Sequence, residues 1–182
     1  MLGRATILTL TIALAASATT LEKLSMDEMI ARSTAIVRAK AVASAGEVKS
    51  GMIFTRYRLQ VSETLKGTAA AQVDVWVPGG TANRMRQVIP GAPVLEANQD
   101  YLVFLWTGSS GRSQIIGLSQ GLFNLVREES GAMQLERLGA KEMVVDPQTG
   151  RAVLDATIRM PIGEMKTRVV TKLMELQSEQ AK

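Results

Sequence analysis

The stretch IFTRYRLQVSETLKG, residues 53–67, carries the clearest strand pattern in the chain. Its alternate positions share one face: Ile53, Thr55, Tyr57, Leu59 and Val61. The intervening positions share the other: Arg56, Arg58, Gln60 and Ser62. Successive side chains of a β-strand point to opposite faces, so the pattern predicts a strand that is buried on one side and ends at Leu65-Lys66-Gly67.

Further strands are predicted on both sides of this one. The segment 35–45 places basic residues opposite small apolar ones, and apolar runs at 73–77 and 101–106 each stop at glycine-containing turns. A fifth strand is predicted over 114–126, where glycines allow a bulge or bend. The connection 78–100 has no clean periodicity, and connections of that length in compact domains are usually functional or disordered.

Two helices and a hairpin complete the predicted elements. Ser25 and Glu28 have the spacing of a capping box, which predicts a short helix ending near Arg32. Apolar residues at helical spacing predict an amphipathic helix over 162–177, and Pro161 suits its start. Between the strands and this helix, β-like pieces at 133–138 and 143–154, the latter with a turn at 146–150, predict a terminal hairpin.

These elements predict a mainly β fold. Five strands with a bend in the last one suit a five-stranded OB-like β-barrel with a short N-terminal helix, a C-terminal β-hairpin and a C-terminal amphipathic helix. A β-sandwich is also compatible with the same strands. We expect residues 19–130 to form the barrel and residues 131–182 to pack on it within the same domain.

The first eighteen residues have the pattern of a secretory signal peptide. A basic residue at Arg4 precedes an apolar run too short to span a bilayer, and Ala16-Ser17-Ala18 fits the cleavage rule for small residues. Cleavage after Ala18 would leave Thr19 as the mature N-terminus, and cleavage after Ala15 is the alternative. We therefore expect an exported protein, periplasmic or extracellular, without a transmembrane span after signal cleavage.

The composition excludes several kinds of chemistry. The chain contains no cysteine and no histidine, which removes thiolate nucleophiles, Ser-His-Asp triads and ordinary zinc sites. Carboxylate catalysis remains open, and Glu63 and Asp74 are its candidates. The formal net charge of +4 is a mild bias that predicts a solvated surface with scattered basic residues.

Candidate binding residues lie on a strand and in the long connection. Arg84 and Arg86 flank Met85 and could grip a carboxylate or phosphate, with simple solvation as the alternative. Trp76 is predicted to point outward and Tyr57 into the core. Aromatic residues are few, so no nucleic-acid partner is predicted.

The strand segments also resemble a known family. The run Ile36-Val37-Arg38-Ala39-Lys40-Ala41-Val42, together with Leu65-Lys66-Gly67, 73–77 and Tyr101-Leu102-Val103, resembles the netrin-like domain of tissue inhibitors of metalloproteinases over residues 19–126. The resemblance implies a five-stranded barrel. In that family the N-terminal cysteine chelates the target protease's zinc through its amine and carbonyl. The corresponding position here would be Thr19, followed by Thr20, and the disulfides that fix the family's terminus are absent.

The sequence therefore predicts an exported, non-enzymatic binding module that uses no cofactor and no metal. Its partner is predicted to be a protein or an envelope polymer rather than a small molecule, with Thr19, Thr20, Trp76, Arg84 and Arg86 as candidate binding residues. One alternative is a metalloprotease inhibitor that acts through the mature N-terminal amine. The other is a carboxylate-dependent enzyme.

Overall fold

The computed structural model describes residues 20–140 and 143–181. The predicted signal peptide, residues 1–18, and Thr19 lie outside the described residues. Within the described ranges no helix combines the length and apolar character that crossing a membrane requires.

The described chain is mainly β, with a helix near each end. In chain order the elements are β1 (Leu21–Glu22), α1 (Met26–Arg32), β2 (Ala35–Lys49), β3 (Met52–Lys66), β4 (Gln72–Pro78), β5 (Gly80–Ala82), β6 (Met85–Gln87), β7 (Asp100–Thr107), β8 (Ser113–Ile115), β9 (Leu122–Arg127), β10 (Met133–Arg137), β11 (Val144–Val145), β12 (Ala152–Val153), β13 (Ile158–Pro161) and α2 (Ile162–Gln180).

Eight of these strands form one sheet in the order β13-β10-β9-β7-β2-β3-β4-β8. The neighbours are antiparallel except β4 and β8, which are parallel. Strand β8 also pairs with β7, so the pairings β7–β2–β3–β4–β8 return to β7. A small second sheet, β1-β11-β12, holds the N-terminal strand beside the hairpin β11–β12.

Strand β7 and the first half of β2, residues 35–41, separate two apolar cores. On one side Val37, Leu59 and Val103 belong to a core enclosed by the strands β2, β3, β4 and β7. On the other side Ile36 and Phe104 belong to a core shared with both helices and with β9 and β10. The apolar run of β7 follows from this double burial, because the segment 101–105 is buried on both faces.

The predicted strand over 114–126 is wrong as a single element. The chain forms β8 and β9 instead, separated by a turn at 116–121. Both strands pair with the same edge of β7, β8 at Leu105–Thr107 and β9 at Tyr101–Val103. The turn therefore separates two strands that pair with one edge of β7. The backbone changes direction at Gly117 and Leu118, where φ is 60° and 62°.

The connection 78–100 also contains structure that its composition did not predict. Strands β5 and β6 form a hairpin with Asn83 and Arg84 at its turn, where φ is 51° and 62°. Two consecutive positive φ angles are typical of a type I′ hairpin turn, which asparagine tolerates well. The hairpin packs against β2, and a side chain at Gly46 would collide with the carbonyl oxygen of Thr81.

The two helices begin and end close to their predicted positions. Ser25 accepts a hydrogen bond from the Glu28 amide at 3.2 Å while Glu28 accepts from the Ser25 amide at 2.7 Å, which confirms the capping box. Helix α2 begins directly after Pro161 and runs three residues beyond the predicted end. Its Met165 and Val169 are buried in the core shared with α1, so its apolar face packs on the sheet.

Candidate functional site

A groove of about 570 Å³ lies where the ends of β4, β7 and β8 meet. Its walls carry both tryptophans of the chain, Trp76 and Trp106, and we call it the two-tryptophan groove. The groove is also lined by Arg32, Phe54, Val77, Pro78, Pro93 and Gln114. A concave surface with apolar walls and a few placed polar groups is the usual form of a ligand site.

The pairing of β3 with β4 positions the first aromatic wall. Trp76 stands opposite Arg56 in this ladder, so its indole lies on the outer face of the sheet, as the strand alternation predicted. Phe54 contacts it edge to face, with ring centroids 6.3 Å apart and an interplanar angle of 75°. The pair forms a preorganised aromatic surface whose faces are partly accessible.

Trp106 supplies a second aromatic side chain to the groove from the end of β7. It pairs with Gln114 of β8, and 47% of its surface is exposed, so the indole is available to a ligand. A β-carbon added at Gly108 would lie 2.6 Å from Cη2 of Trp106. The indole therefore folds over Gly108, and a larger residue at that position would displace it.

Three cations surround the indole of Trp76. Lys49 Nζ and the guanidinium carbons of Arg56 and Arg112 lie 5.7, 5.9 and 6.0 Å from the ring centroid. Arg32, on the last turn of α1, lines the same groove and has Glu22 at 3.8 Å as an exposed ion-pair partner. Cations therefore cluster around Trp76, and two of them, Lys49 and Arg56, are also paired with Glu47, at 3.9 and 2.6 Å.

An ion-pair network holds Arg56 beside Trp76. Its Nε donates to Glu47 at 2.6 Å and its Nη1 donates to Asp74 at 2.8 Å, while Arg58 donates to the other oxygen of Asp74 at 2.9 Å. Hydrogen bonds from Arg58 and then Arg56 lower the pKa of Asp74 below its ordinary value. Arg56 is consequently fixed in place by carboxylates.

The predicted loop arginines belong to the β5–β6 hairpin. Arg86 on β6 borders a second cavity of about 200 Å³, which shares Val77, Pro78 and Pro93 with the two-tryptophan groove. Arg84 is exposed at the hairpin turn. The hairpin is anchored by Gln87, whose Oε1 accepts from the Ile53 amide at 2.7 Å. The two arginines therefore sit on a structured hairpin rather than on an irregular loop.

The two carboxylates considered for catalysis have separate ion-pair partners. Register shifts in the β2–β3 ladder place Glu63 opposite Arg38, whereas Val61 stands opposite Ala39. This β-bulge turns Glu63 toward α2, where it accepts from Lys166 at 2.6 Å. Asp74 is bound by Arg56 and Arg58. Within residues 20–140 and 143–181, no three carboxylates gather as metal ligands would.

The chain just after the predicted cleavage site is held by hydrogen bonds. Leu21 and Lys23 donate their amides to Met143 and Val145, at 3.0 and 2.9 Å. The buried side chain of Gln120 accepts from the Leu24 amide at 2.9 Å and donates to the Glu22 carbonyl at 2.8 Å. Thr20 is exposed, and it precedes this fixed segment.

The groove brings together one residue that was predicted to bind a ligand and several that were not. Of the predicted binding residues it contains Trp76, and Arg86 lies next to it. Trp106 was not predicted, although a tryptophan that ends an apolar strand just before a glycine-rich turn is a recognisable signal. Arg32 and Arg112 carry no local signal, because only the fold brings them near the indoles.

The chain was compared with known protein families and with curated proteins. A scan against protein-family models found no match, and a search of curated proteins found none either. Because a fold does not determine the task it performs, the two-tryptophan groove is the observation that bears most directly on function.

Proposed function

We propose that β2, β3, β4, β8 and β7 form a five-stranded OB-like barrel, similar to the netrin-like domain. The closed series of pairings and the parallel pair β4–β8 support this arrangement. In an OB-fold, the face of the second and third strands and the loops 1–2 and 4–5 bind ligands. The corresponding elements here supply Phe54 and Trp76 from β3 and β4, Lys49 from the end of β2, and Arg112 from the β7–β8 connection.

On this framework the protein is an exported, non-enzymatic binding module whose ligand is an acidic polymer of the cell envelope. The single observation that carries the proposal is the two-tryptophan groove, with two indoles in its lining and cations around Trp76. An indole face stacks on the C–H face of a sugar ring, and guanidinium groups bind carboxylates through paired hydrogen bonds. An acidic glycan offers both features in each repeat.

A panel of defined polymers tests the ligand class. Oligogalacturonate represents acidic glycans, dextran oligomers neutral glycans, polyglutamate acidic polypeptides, and oligothymidylate nucleic acids. Calorimetric titration is expected to show binding of oligogalacturonate that is weakened by salt. Binding of polyglutamate alone would transfer the proposal to polypeptides, and binding of none would contradict it.

Matched variants locate the binding in the groove. Trp76→Ala and Trp106→Ala are each expected to weaken binding about fivefold or more, since stacking on one aromatic is worth about 1–3 kcal/mol. Arg112→Gln should weaken it, whereas Arg151→Gln in the exposed β11–β12 turn makes the same charge change and should leave it unchanged. Equal effects of the two arginine changes would indicate nonspecific attraction.

We propose metalloprotease inhibition through the Thr19 amine as a second candidate function. The observation in its favour is the hydrogen-bonded segment from Leu21 to Leu24, which supplies order that disulfides supply in the family this chain resembles. A preorganised terminus avoids part of the ordering cost of binding.

The mature protein beginning at Thr19 and the same protein with one added glycine before Thr19 provide the comparison. Inhibition of exported metalloproteases by the first and not by the second is expected if the amine chelates zinc. Inhibition that survives the extension, or none by either form, would contradict this second candidate and leave the groove proposal unaffected.

A further inference from the structure

A second cavity adjoins the two-tryptophan groove. Its volume is about 200 Å³, and it shares Val77, Pro78 and Pro93 with the groove. Proline fixes its own φ angle, so two of the three shared residues have a restricted backbone. A ligand that extends from the groove over these shared residues reaches the second cavity.

The second cavity combines one cation with apolar side chains. Among the described residues that line it, Arg86 is the one that carries a charge. Val88 and Val94 also line it, and they are 70% and 68% exposed. A sugar ring with a carboxylate has the matching features, because it presents an apolar C–H face beside an anionic group that a guanidinium binds well.

The guanidinium of Arg86 is available to an anion. None of the ion pairs within the described ranges involves it, and the segment 75–95 contains no aspartate or glutamate. Arg32, which lines the groove, has only the exposed Glu22 at 3.8 Å as a partner. No carboxylate is among the described residues that line either cavity. The charge of the two linings is therefore complementary to an anionic ligand.

Hydrogen bonds hold the base of the β5–β6 hairpin on β3. Thr55 Oγ1 donates to the Gly79 carbonyl at 2.9 Å, and the Gly79 amide donates to the Ile53 carbonyl at 2.7 Å. The Ile53 amide in turn donates to the side chain of Gln87 at 2.7 Å. Arg86 directly precedes Gln87, so its backbone is fixed at the cavity and needs little ordering when a ligand binds.

On the basis of the proposed function of the groove, we propose that the second cavity is a further subsite for the same acidic glycan. The glycan runs from the two indoles over Pro78 and Pro93 into the second cavity. There Arg86 binds the carboxylate of a later unit, and the exposed valines contact the C–H face of that unit. The protein thus recognises an extended segment of the polymer rather than a single unit.

Calorimetric titration with oligogalacturonates of increasing length, from the dimer to the octamer, tests this subsite. Arg86→Gln should bind the shortest oligomers as the wild type does, because they fit within the groove. It should bind the longest ones about fivefold more weakly, as expected for the loss of an exposed ion pair with charge-assisted hydrogen bonds. Longer oligomers also bind more tightly because they offer more registers, and this gain is the same in every variant.

Two control variants complete the design. Arg151→Gln makes the same charge change in the exposed β11–β12 turn and should follow the wild type at every length. Trp76→Ala should weaken binding at every length, because all oligomers use the groove. Arg86 is exposed and outside the ion pairs, so Arg86→Gln should unfold at the wild-type temperature.

The outcomes separate the subsite from the groove. Binding by Arg86→Gln that matches the wild type at every length would overturn the subsite, as would equal weakening by Arg151→Gln or equal weakening of the shortest and longest oligomers. If Trp76→Ala still weakens binding in those cases, the groove remains the ligand site. Absence of binding by the wild type at every length would overturn both the groove and the subsite.

Discussion

At the scale of single residues, hydrogen-bonding side chains fix segments that small exported proteins often fix with disulfides. Gln120 is the main example, because its side chain is 1% exposed and bonds to Glu22 and Leu24. The capping box of Ser25 and Glu28 then starts α1 immediately afterwards. The route of the chain from β1 into the first helix is therefore set by a few polar groups.

Replacing Gln120 by alanine should destabilise the protein by about 2–3 kcal/mol, because the change leaves backbone groups of Glu22 and Leu24 without partners. Chemical denaturation measures this loss. Hydrogen exchange at the Leu24 amide should also become faster. Gln148→Ala, at an exposed turn, is the matched control and should be nearly neutral. Equal stability of the two variants would show that Gln120 does not anchor the N-terminal segment.

These two residue-scale features differ in how far the sequence could predict them. The bond between Ser25 and Glu28 spans three positions, so spacing alone predicted it. The bond from Gln120 to Glu22 joins residues 98 positions apart. An isolated glutamine after a serine in a predicted strand gives no local signal, and its role exists only once the turn at 116–121 brings it beneath β1.

At the scale of elements, one buried ion pair fastens β10 to the segment before β13. Arg137 donates to Asp155 at 2.8 Å, and the two side chains are 6% and 3% exposed. Asp155 also accepts from the Ala140 amide at 2.9 Å, and the Arg137 guanidinium lies 5.9 Å from the centroid of Phe123. Removing one partner of a buried ion pair is strongly destabilising, because the other charge then stays buried without compensation.

Arg137→Ala should therefore cost about 3–5 kcal/mol of unfolding free energy, since it leaves the Asp155 carboxylate buried without its partner. Arg159→Ala is the matched control. Arg159 pairs with Glu128 at 3.2 Å in an exposed position, and its loss should cost less than about 1 kcal/mol. Urea unfolding of both variants measures the difference, and similar costs would contradict the structural role of the buried pair.

The network on β3 and β4 predicts an effect of pH. The pKa of Asp74 is lowered in the folded state, chiefly by the Arg58 hydrogen bond, so its stabilising effect is present above the ordinary value of 3.8. Below pH 3.8 Asp74 becomes protonated in the unfolded chain while it is still ionised in the folded chain. The stabilisation by the ionised Asp74 therefore decreases between pH 3.8 and its lower folded-state pKa. The stability gap between wild type and Asp74→Asn should shrink over that interval.

Denaturation curves recorded from neutral pH to the acid limit measure this gap. Glu129→Gln removes one negative charge at an exposed position and controls for net charge. A gap that stays constant through the acid range would show that Asp74 titrates alike in the folded and unfolded chains.

Strands and helices were predicted correctly where the spacing of apolar residues along the sequence matches the face that the element buries. The alternation in β3 follows from one buried and one solvated face, and α2 shows its buried stripe directly. The apolar pattern could not predict that the segment 114–126 divides into β8 and β9. Both strands pair with the same edge of β7, so the sequence on each side of the break is typical of a strand. The hairpin β5–β6 was missed because its strands are three residues each.

At the scale of the whole molecule, the fold assembles a groove from distant parts of the chain. Arg32 comes from the end of α1, Phe54 and Trp76 from neighbouring strands, and Trp106 from the end of β7. Strand alternation predicted that Trp76 faces outward. The partners around it could not be predicted, because their proximity depends on the order β2-β3-β4-β8 and on β8 returning to β7.

The two indole N–H signals in a ¹⁵N-resolved NMR spectrum, one from Trp76 and one from Trp106, report ligand binding in the two-tryptophan groove. Titration with oligogalacturonate should shift both signals along the same saturation curve, since both indoles line one groove. Trp76→Ala should reduce the response of the remaining Trp106 signal. Binding that shifts neither indole signal would contradict the proposal that the two-tryptophan groove is the ligand site.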